Sequence, residues 1–346
     1  MRVGIVGTGW VAPVHAHALR ELGVEVAAVC GRTKSSADRF AGELGGASAW
    51  SDLEAMLQAD RLDVLHVCTP NDLHAPQTLL ALEHGVDVVC EKPLAVNTQE
   101  SARMVEAAAQ RGLVGAVAHH VRGYPLVAHM RSEIVAGALG DLRVVHGRYL
   151  NDEALLPDYT WRFKPEQSGP SYVMGDLGTH WLDTAEHVTG LRIAEVLAEF
   201  RTFEHEKEGV TLSLDDTAMV LLRFEGGAVG SVLVAGTAPG RKNQLVLECE
   251  GSRGGCTWDQ EQPELLLDRP VGEPQRLVLK DSGLARFPPG HVEGYGDAFR
   301  NILREAYRAI AGEPHGSFAT FADGHRGMQL LEAIVESART GRWVAP

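Results

Sequence analysis

The sequence predicts an α/β protein in two parts. A doubly wound parallel sheet is expected over residues 1–120, followed by an α/β domain with a large, mostly antiparallel sheet over residues 121–346. Three observations predict this. Apolar runs of strand length alternate with helical segments through the first 120 residues, as in β-α units covered on both faces. From residue 193 to 280 the chain instead alternates with period two between turn signals, as strands with one buried face do. At 346 residues it is also too long for one ordinary core, taking about 150 residues per domain as a prior.

A formal net charge of −14, with Lys and Arg scattered, argues against nucleic acid and anionic membranes as partners, because both need clustered cations. No run approaches the roughly 20 apolar residues of a membrane span. Met1-Arg2 leads straight into Val3-Gly4-Ile5-Val6-Gly7, leaving no room for the regions of a signal peptide. Cys30, Cys68 and Cys90 each end an apolar run, and with Cys249 and Cys256 they form no C-x-x-C pair. A disulfide framework is therefore not expected, and the cytoplasm is the natural compartment. Nor is a metal site expected: His15 and His17 at i and i+2 diverge on a helix, as do the adjacent His119 and His120.

Arg2–Val6 reads as a buried strand opening into Gly7-Thr8-Gly9-Trp10-Val11-Ala12 and a helix to about Leu22. In G-x-G-x-x-A the first glycine permits the turn, the second admits a pyrophosphate, and the small third residue lets the helix pack closely. The helix N-terminus then offers N–H groups to the phosphates. A second strand, Val24–Cys30, ends in Gly31-Arg32-Thr33-Lys34, where an NAD site usually carries an acid for the ribose hydroxyls. Two cations and a hydroxyl suit a 2′-phosphate, so NADP is favoured. NAD stays possible if the turn is merely solvated.

Helices near 35–44 and 52–58 and a strand at Val64–Val67 precede Thr69-Pro70-Asn71-Asp72-Leu73-His74, which starts a helix over 75–84. The apolar run Val86–Cys90 then stops at Glu91-Lys92-Pro93. Ligands of open parallel sheets sit beyond the carboxyl ends of the strands, so Lys92 is expected where cofactor and substrate meet. A helix near 98–111 and a strand at Val114–Ala118 complete this part.

With G-x-G-x-x-A, T-P-N-x-x-H at 69–74, E-K-P at 91–93 and D-x-x-x-H in Gly175-Asp176-Leu177-Gly178-Thr179-His180, the chain resembles the Gfo/Idh/MocA oxidoreductases over nearly its whole length. The resemblance implies a Rossmann domain followed by a domain whose open sheet face makes subunit contacts, hence a homodimer or homotetramer. It implies reversible hydride transfer between a nicotinamide and a secondary alcohol of a sugar or cyclitol. Lys92, Asp176 and His180 then surround the substrate hydroxyl. The candidate cofactor contacts are Gly7, Thr8, Gly9, Trp10, Val11, Arg32, Thr33, Lys34, Thr69, Pro70, Asn71, His74, Glu91 and Lys92.

In the second half, Asp176 and His180 are i and i+4 on a helix spanning Gly175–Gly190, where a carboxylate can orient an imidazole. An Asp complementing the helix dipole is the plain alternative. His120, Arg122 and Tyr124 are candidates for a substrate pocket wall, ahead of a helix near 126–137. After a strand at Leu142–Leu150, the irregular stretch 151–174 holds Tyr159, Trp161, Arg162, Phe163 and Tyr172. Aromatic faces beside an arginine suit a sugar ring, and Trp161 and Arg162 are the expected contacts. Strands follow at Ile193–Phe203, Asp216–Phe224, Ala228–Ala235, Gln244–Glu250, Glu264–Leu267 and Gln275–Lys280, with Glu225-Gly226-Gly227 as a hairpin turn. A loop at 281–294 brings His291, a candidate at the site mouth, to a helix at 295–311, and Phe321–Arg339 closes the chain as a helix. Two other functions stay open. One uses bound NAD transiently for glycoside cleavage or epimerisation; the other is a regulator that binds a dinucleotide without chemistry.

Overall fold

The computed structural model describes residues 1–280 and 283–346, so the first two residues of the expected 281–294 loop lie outside the described residues. In chain order β1 (Val3–Val6), α1 (Ala12–Glu21), β2 (Val26–Cys30), α2 (Lys34–Glu43), β3 (Ser48–Trp50) and α3 (Leu53–Asp60) open the fold. Then come β4 (Val64–Val67), α4 (His74–Glu83), β5 (Asp87–Cys90), α5 (Thr98–Arg111) and β6 (Gly115–Val117). The second part begins with α6 (Pro125–Val135), β7 (Leu142–Leu150), α7 (Pro165–Ser168) and α8 (Thr179–Thr189). It continues with β8 (Ile193–Arg201), β9 (Glu206–Lys207), β10 (Val210–Thr211), β11 (Thr217–Phe224) and β12 (Val229–Ala235). Next are β13 (Gln244–Gly251), β14 (Gly254–Asp259), β15 (Leu265–Pro270) and β16 (Arg276–Leu279), and the chain ends with α9 (Tyr295–Ile310), β17 (Ala319–Thr320) and α10 (Phe321–Thr340).

The chain divides into two compact units, Met1–Gly123 with Tyr295–Met328, and Tyr124–Gly294 with Gln329–Pro346. A single cut near 120 would assign all of 295–328 to the second domain. The return has a plain cause: Phe299, Ile302 and Leu303 of α9 share one apolar cluster with Ile5, Ala12 and Leu19.

In the first unit the described strands pair in the order β17-β6-β5-β4-β1-β2-β3. β1 to β6 run parallel, and β17 adds an antiparallel edge. Apart from His66 in β4 and Asp87 at the start of β5, the strands β1, β4 and β5 are apolar without alternation because helices cover both faces, and all four residues of β1 and of β4 are buried. One face packs against α1 and α9; the other packs Met56, Leu82 and Met104 of α3, α4 and α5 with Phe321. The order reverses between β1 and β4, the position where doubly wound sheets take their ligands.

In the second unit the described strands pair in the order β16-β15-β14-β13-β7-β12-β11-β8. β12 runs parallel to β7 and the other pairs are antiparallel. The Trp181 indole N–H donates to the Val246 carbonyl at 2.9 Å, tying α8 to β13. Along β11, Val220 and Leu222 are buried while Met219 and Leu221 are 55% and 50% exposed, and with Val229 and Leu233 of β12 they form an exposed apolar patch on the second face of the sheet. Among the described residues no helix is long and apolar enough to cross a membrane.

Candidate active site

The glycine turn after β1 is shaped by steric need. Gly7 has φ +96°, and a Cβ there would stand 2.3 Å from the Cys68 carbonyl oxygen. Its N–H donates to the Cys30 carbonyl at 2.9 Å, which ties the turn to β2. A Cβ on Gly9 would meet nothing within 4 Å, so that flank is open. Ala12 is fully buried, as the small third position requires. The first turn of α1 has no side-chain cap, but its own N–H groups are engaged: Ala12 donates to the Gly9 carbonyl at 3.2 Å and Val14 to the Val11 carbonyl at 3.0 Å, while Pro13 has none. Thr8 and Val11 are half-buried, and the 74% exposed Trp10 stacks on Tyr295 at 6.1 Å. This strand and glycine turn, open beside Gly9, fit a dinucleotide pyrophosphate.

At the end of β2, Arg32 is exposed. Thr33 is the N-cap of α2 and forms a capping box with Ser36, while Lys34 pairs with Asp38 one turn on. Two of the three residues expected on a 2′-phosphate thus already serve the helix.

The loops after β4 and β5 are held together by His74. It is fully buried, with Nδ1 2.8 Å from the Pro93 carbonyl and Nε2 2.9 Å from the Thr69 carbonyl. Both ring nitrogens face backbone, so His74 positions these loops instead of touching a ligand. The Thr69 hydroxyl donates to Gln77 at 2.7 Å, and Asn71 lies buried in a 3₁₀ turn after Pro70. Glu91 is also buried: Oε1 lies 3.0 Å from His15 Nε2, and Oε2 accepts the Lys92 N–H at 3.1 Å. It too supports the loop. Lys92 follows β5 half-buried, and its peptide bond to Pro93 is cis.

His120 and Arg122, expected in a pocket wall, are both buried within the first unit. The His120 ring lies parallel to Phe299 at 5.8 Å, and burial lowers its pKa to about 3, keeping it neutral. Arg122 pairs with Asp323 at 3.3 Å and donates to the Phe318 carbonyl at 3.3 Å. These bonds hold the returning segment in place.

In the second unit the expected helix does not start as an α-helix. Met174–Gly178 winds as a π turn and α8 begins at Thr179, so Asp176 and His180 sit on either side of a change in helical pitch. Met174 folds back over Gly178, where a Cβ would lie 2.3 Å from its terminal methyl. Such turns are frequent at functional sites. Asp176 is half-buried and pairs with Arg162 Nε at 3.4 Å, and Arg162 also lies over the Trp161 ring at 5.0 Å. His180 is buried, 6.0 Å in ring separation from Tyr149. Burial and the Asp176 charge push the Tyr149 and Tyr172 phenols up, and the Asp176 charge chiefly raises the Arg162 pKa. The cluster therefore holds a carboxylate, a guanidinium, an imidazole and two neutral phenols.

Tyr124 is buried against Trp258 at 5.1 Å, and His291 is exposed with its carbonyl engaged by Lys280. Tyr124 packs the core beside α6, while the His291 side chain stays on the surface of its loop. Sequence reasoning missed Tyr149, which β7 delivers to His180. It also missed a histidine in the middle of a buried strand, His66 in β4, a polar residue whose partners had to come from elsewhere. His146, Glu248 and Glu250 gather within 4.8 Å on the sheet, but Arg269 pairs with both glutamates at 3.8 and 2.6 Å and supplies the positive charge.

Residues 1–119 match the family model described as "Oxidoreductase family, NAD-binding Rossmann fold", and residues 127–257 match the "GFO/IDH/MocA C-terminal domain". The chain belongs to the Gfo/Idh/MocA oxidoreductase family. Among family relatives, D-glucoside 3-dehydrogenase of Escherichia coli is 33% identical over 99% of this chain and 96% of its own length. Levoglucosan dehydrogenase of Pseudarthrobacter phenanthrenivorans is 29% identical over 99% of this chain and 97% of its own. A solved levoglucosan dehydrogenase in complex with NADH and levoglucosan superposes with a TM-score of 0.94 at 29% identity, covering 100% of this chain and 99% of that one. This Gfo/Idh/MocA member is thus an NAD-binding oxidoreductase.

Proposed function

We propose that the protein catalyses reversible hydride transfer between a nicotinamide dinucleotide and a secondary alcohol of a sugar or cyclitol. The observation that carries the reading is Lys92 directly after a central strand of the sheet whose first turn is cut to admit a pyrophosphate. A bound nicotinamide supplies the hydride acceptor. Gly7, Gly9 and the glycine turn leading into α1 hold the dinucleotide, with Thr8, Trp10, Val11, Thr69, Pro70 and Asn71 along it. In the oxidising direction His180 takes the hydroxyl proton, a positioned acid–base step typically giving about 10²–10⁴-fold. Lys92, as an ammonium, donates a hydrogen bond to the developing alkoxide, an effect of about 2.7–4 kcal/mol for a preorganised donor. Asp176, held by Arg162, fixes the substrate, and Trp161 offers its ring to an apolar sugar face.

Turnover of levoglucosan, methyl β-D-glucoside and myo-inositol, followed by NADH and NADPH absorbance at ~340 nm, tests the reading. Net cofactor conversion supports it. Product without net conversion points to transient oxidation, and Lys92→Met with full turnover overturns the proposed site.

We infer further that NADP is preferred, through Arg32 and the missing acid after β2. The uncovered apolar face with Met219, Leu221, Val229 and Leu233 supports a homodimer or homotetramer. Five free, buried cysteines favour the cytoplasm.

A further inference from the structure

We infer that His15 is a positioning residue for the proposed reaction, acting on Lys92 through Glu91 at the end of a one-way hydrogen-bond chain that begins at Tyr307. The proposal rests on the Lys92 reading above. The links are Tyr307 Oη to His66 Nε2 at 2.9 Å, His66 Nδ1 to His15 Nδ1 at 2.7 Å, and His15 Nε2 to Glu91 Oε1 at 3.0 Å. The other Glu91 oxygen accepts the Lys92 N–H at 3.1 Å. His15 and His66 are 0% exposed, Tyr307 7% and Glu91 8%, so the set lies in the interior of the first unit.

The direction follows from valence. An ionised carboxylate only accepts, so His15 Nε2 carries the hydrogen and its Nδ1 must accept. His66 then donates through Nδ1, and its Nε2 receives the Tyr307 hydroxyl. Every link is satisfied with one charge, on Glu91. The reverse order would require a protonated carboxyl or an imidazolium inside the sheet. Burial holds His66 well below and Tyr307 well above their ordinary pKa values, so both stay neutral, as this direction needs. Burial alone would raise Glu91, yet the His15 hydrogen bond, the Lys92 charge and the Lys92 N–H together lower it.

Among the described residues, the other titratable groups around the chain are Cys68 after β4, His74 of α4, Cys90 at the end of β5, held protonated by burial, and His119 and His120 after β6, with Asp63 beside Tyr307. Cys68 is held protonated by burial and His120 is neutral, so the donor set on Glu91 falls to His15 and Lys92. Without His15 a buried carboxylate oxygen loses its donor. Glu91 then takes up a proton more readily, and both its charge beside the Lys92 ammonium and its hold on the Lys92 backbone weaken.

The test uses the full-length chain as His15→Leu, His15→Gln, Glu91→Gln and the Leu/Gln double variant. Turnover is measured on the most active sugar of the panel above, and NADH and NADPH binding by fluorescence. His15→Leu should lower kcat about tenfold or more, leave dinucleotide affinity within about twofold, and move the acidic limb of kcat to higher pH. His15→Gln, whose amide N–H can replace Nε2–H, should restore most of the rate. The double variant should be no slower than the slower single, because both act at one point. An unchanged kcat and pH limb in folded His15→Leu, or losses that multiply in the double variant, would overturn the proposal. If His15→Leu does not fold, Glu91→Gln decides: an unchanged kcat there overturns it equally, and a loss with binding retained supports it. Lys92→Met separates the two levels. Its full activity defeats the site itself, whereas its inactivity beside an unaffected His15→Leu defeats only the role of His15.

Discussion

Replacing Gly9 by alanine isolates dinucleotide binding from folding. The added methyl enters open space, with nothing within 4 Å, and the residue is not in the left-handed region. The fold should therefore lose nothing and gain about 0.4–1 kcal/mol from a stiffer unfolded chain. If the pyrophosphate crosses this turn, the methyl separates backbone from phosphate. Loss of one charge-assisted hydrogen bond is worth about 1.5–3 kcal/mol, or roughly 10–100-fold in Kd. Gly7→Ala is the contrasting control: φ +96° and a 2.3 Å approach to the Cys68 carbonyl make it a folding defect, of about 1–3 kcal/mol or more. Thermal melts and fluorescence titration with NADH and NADPH read both quantities. A Gly9→Ala protein with unaltered melting and unaltered affinity would refute the path of the cofactor over α1.

Arg32→Ala should weaken NADPH about tenfold or more while leaving NADH nearly unchanged; equal effects on both would remove the case for NADP. Asp215 is buried and accepts the Ser171 hydroxyl at 2.8 Å, and burial raises its pKa from 3.8 to about 6. The native state therefore binds a proton more readily across that window, and the contribution of Asp215 to stability falls as pH rises from 3.8 towards 6, then stays flat. Relative to wild type, Asp215→Asn should gain up to about 3 kcal/mol between pH ~4 and ~7 in urea melts; the same difference at both pH values would count against this. Leu221→Glu, placing a charge on the uncovered sheet face, should shift light-scattering mass towards the monomer, and an unshifted mass would move the subunit contact elsewhere.

What could be read in the sequence follows how locally each feature is encoded. The strands β1, β4 and β5 were legible because burial on both faces leaves short apolar runs, and the turn at Gly7 because only glycine tolerates its backbone. The edge strand β3 has three half-buried residues and gave no pattern. β14 opens with two glycines, which carry no strand pattern, although a Cβ on Gly255 would strike the Glu250 carboxylate on the neighbouring strand at 2.0 Å. The pitch change at Asp176 has no local signature, since it depends on packing. Arg122 and Tyr124 beside a polar junction suggested a pocket wall, but their partners Asp323 and Trp258 lie far along the chain. The same distance hid the use of His15: its proximity to His17 was informative only about a metal, whereas its partners His66 and Glu91 are 51 and 76 residues away.

The return of α9 to the first sheet has a consequence for biosynthesis. His66 and Tyr307 are separated by 241 residues. At about 5–20 residues per second, the ribosome needs roughly 10–50 s between making one and the other. During that interval the emerging N-terminal sheet has its histidine without the tyrosine and the apolar side of α1 without Phe299. A truncated transcript ending before residue 295 should accordingly yield an aggregation-prone nascent chain that recruits chaperones, even though every glycine-turn residue is already present.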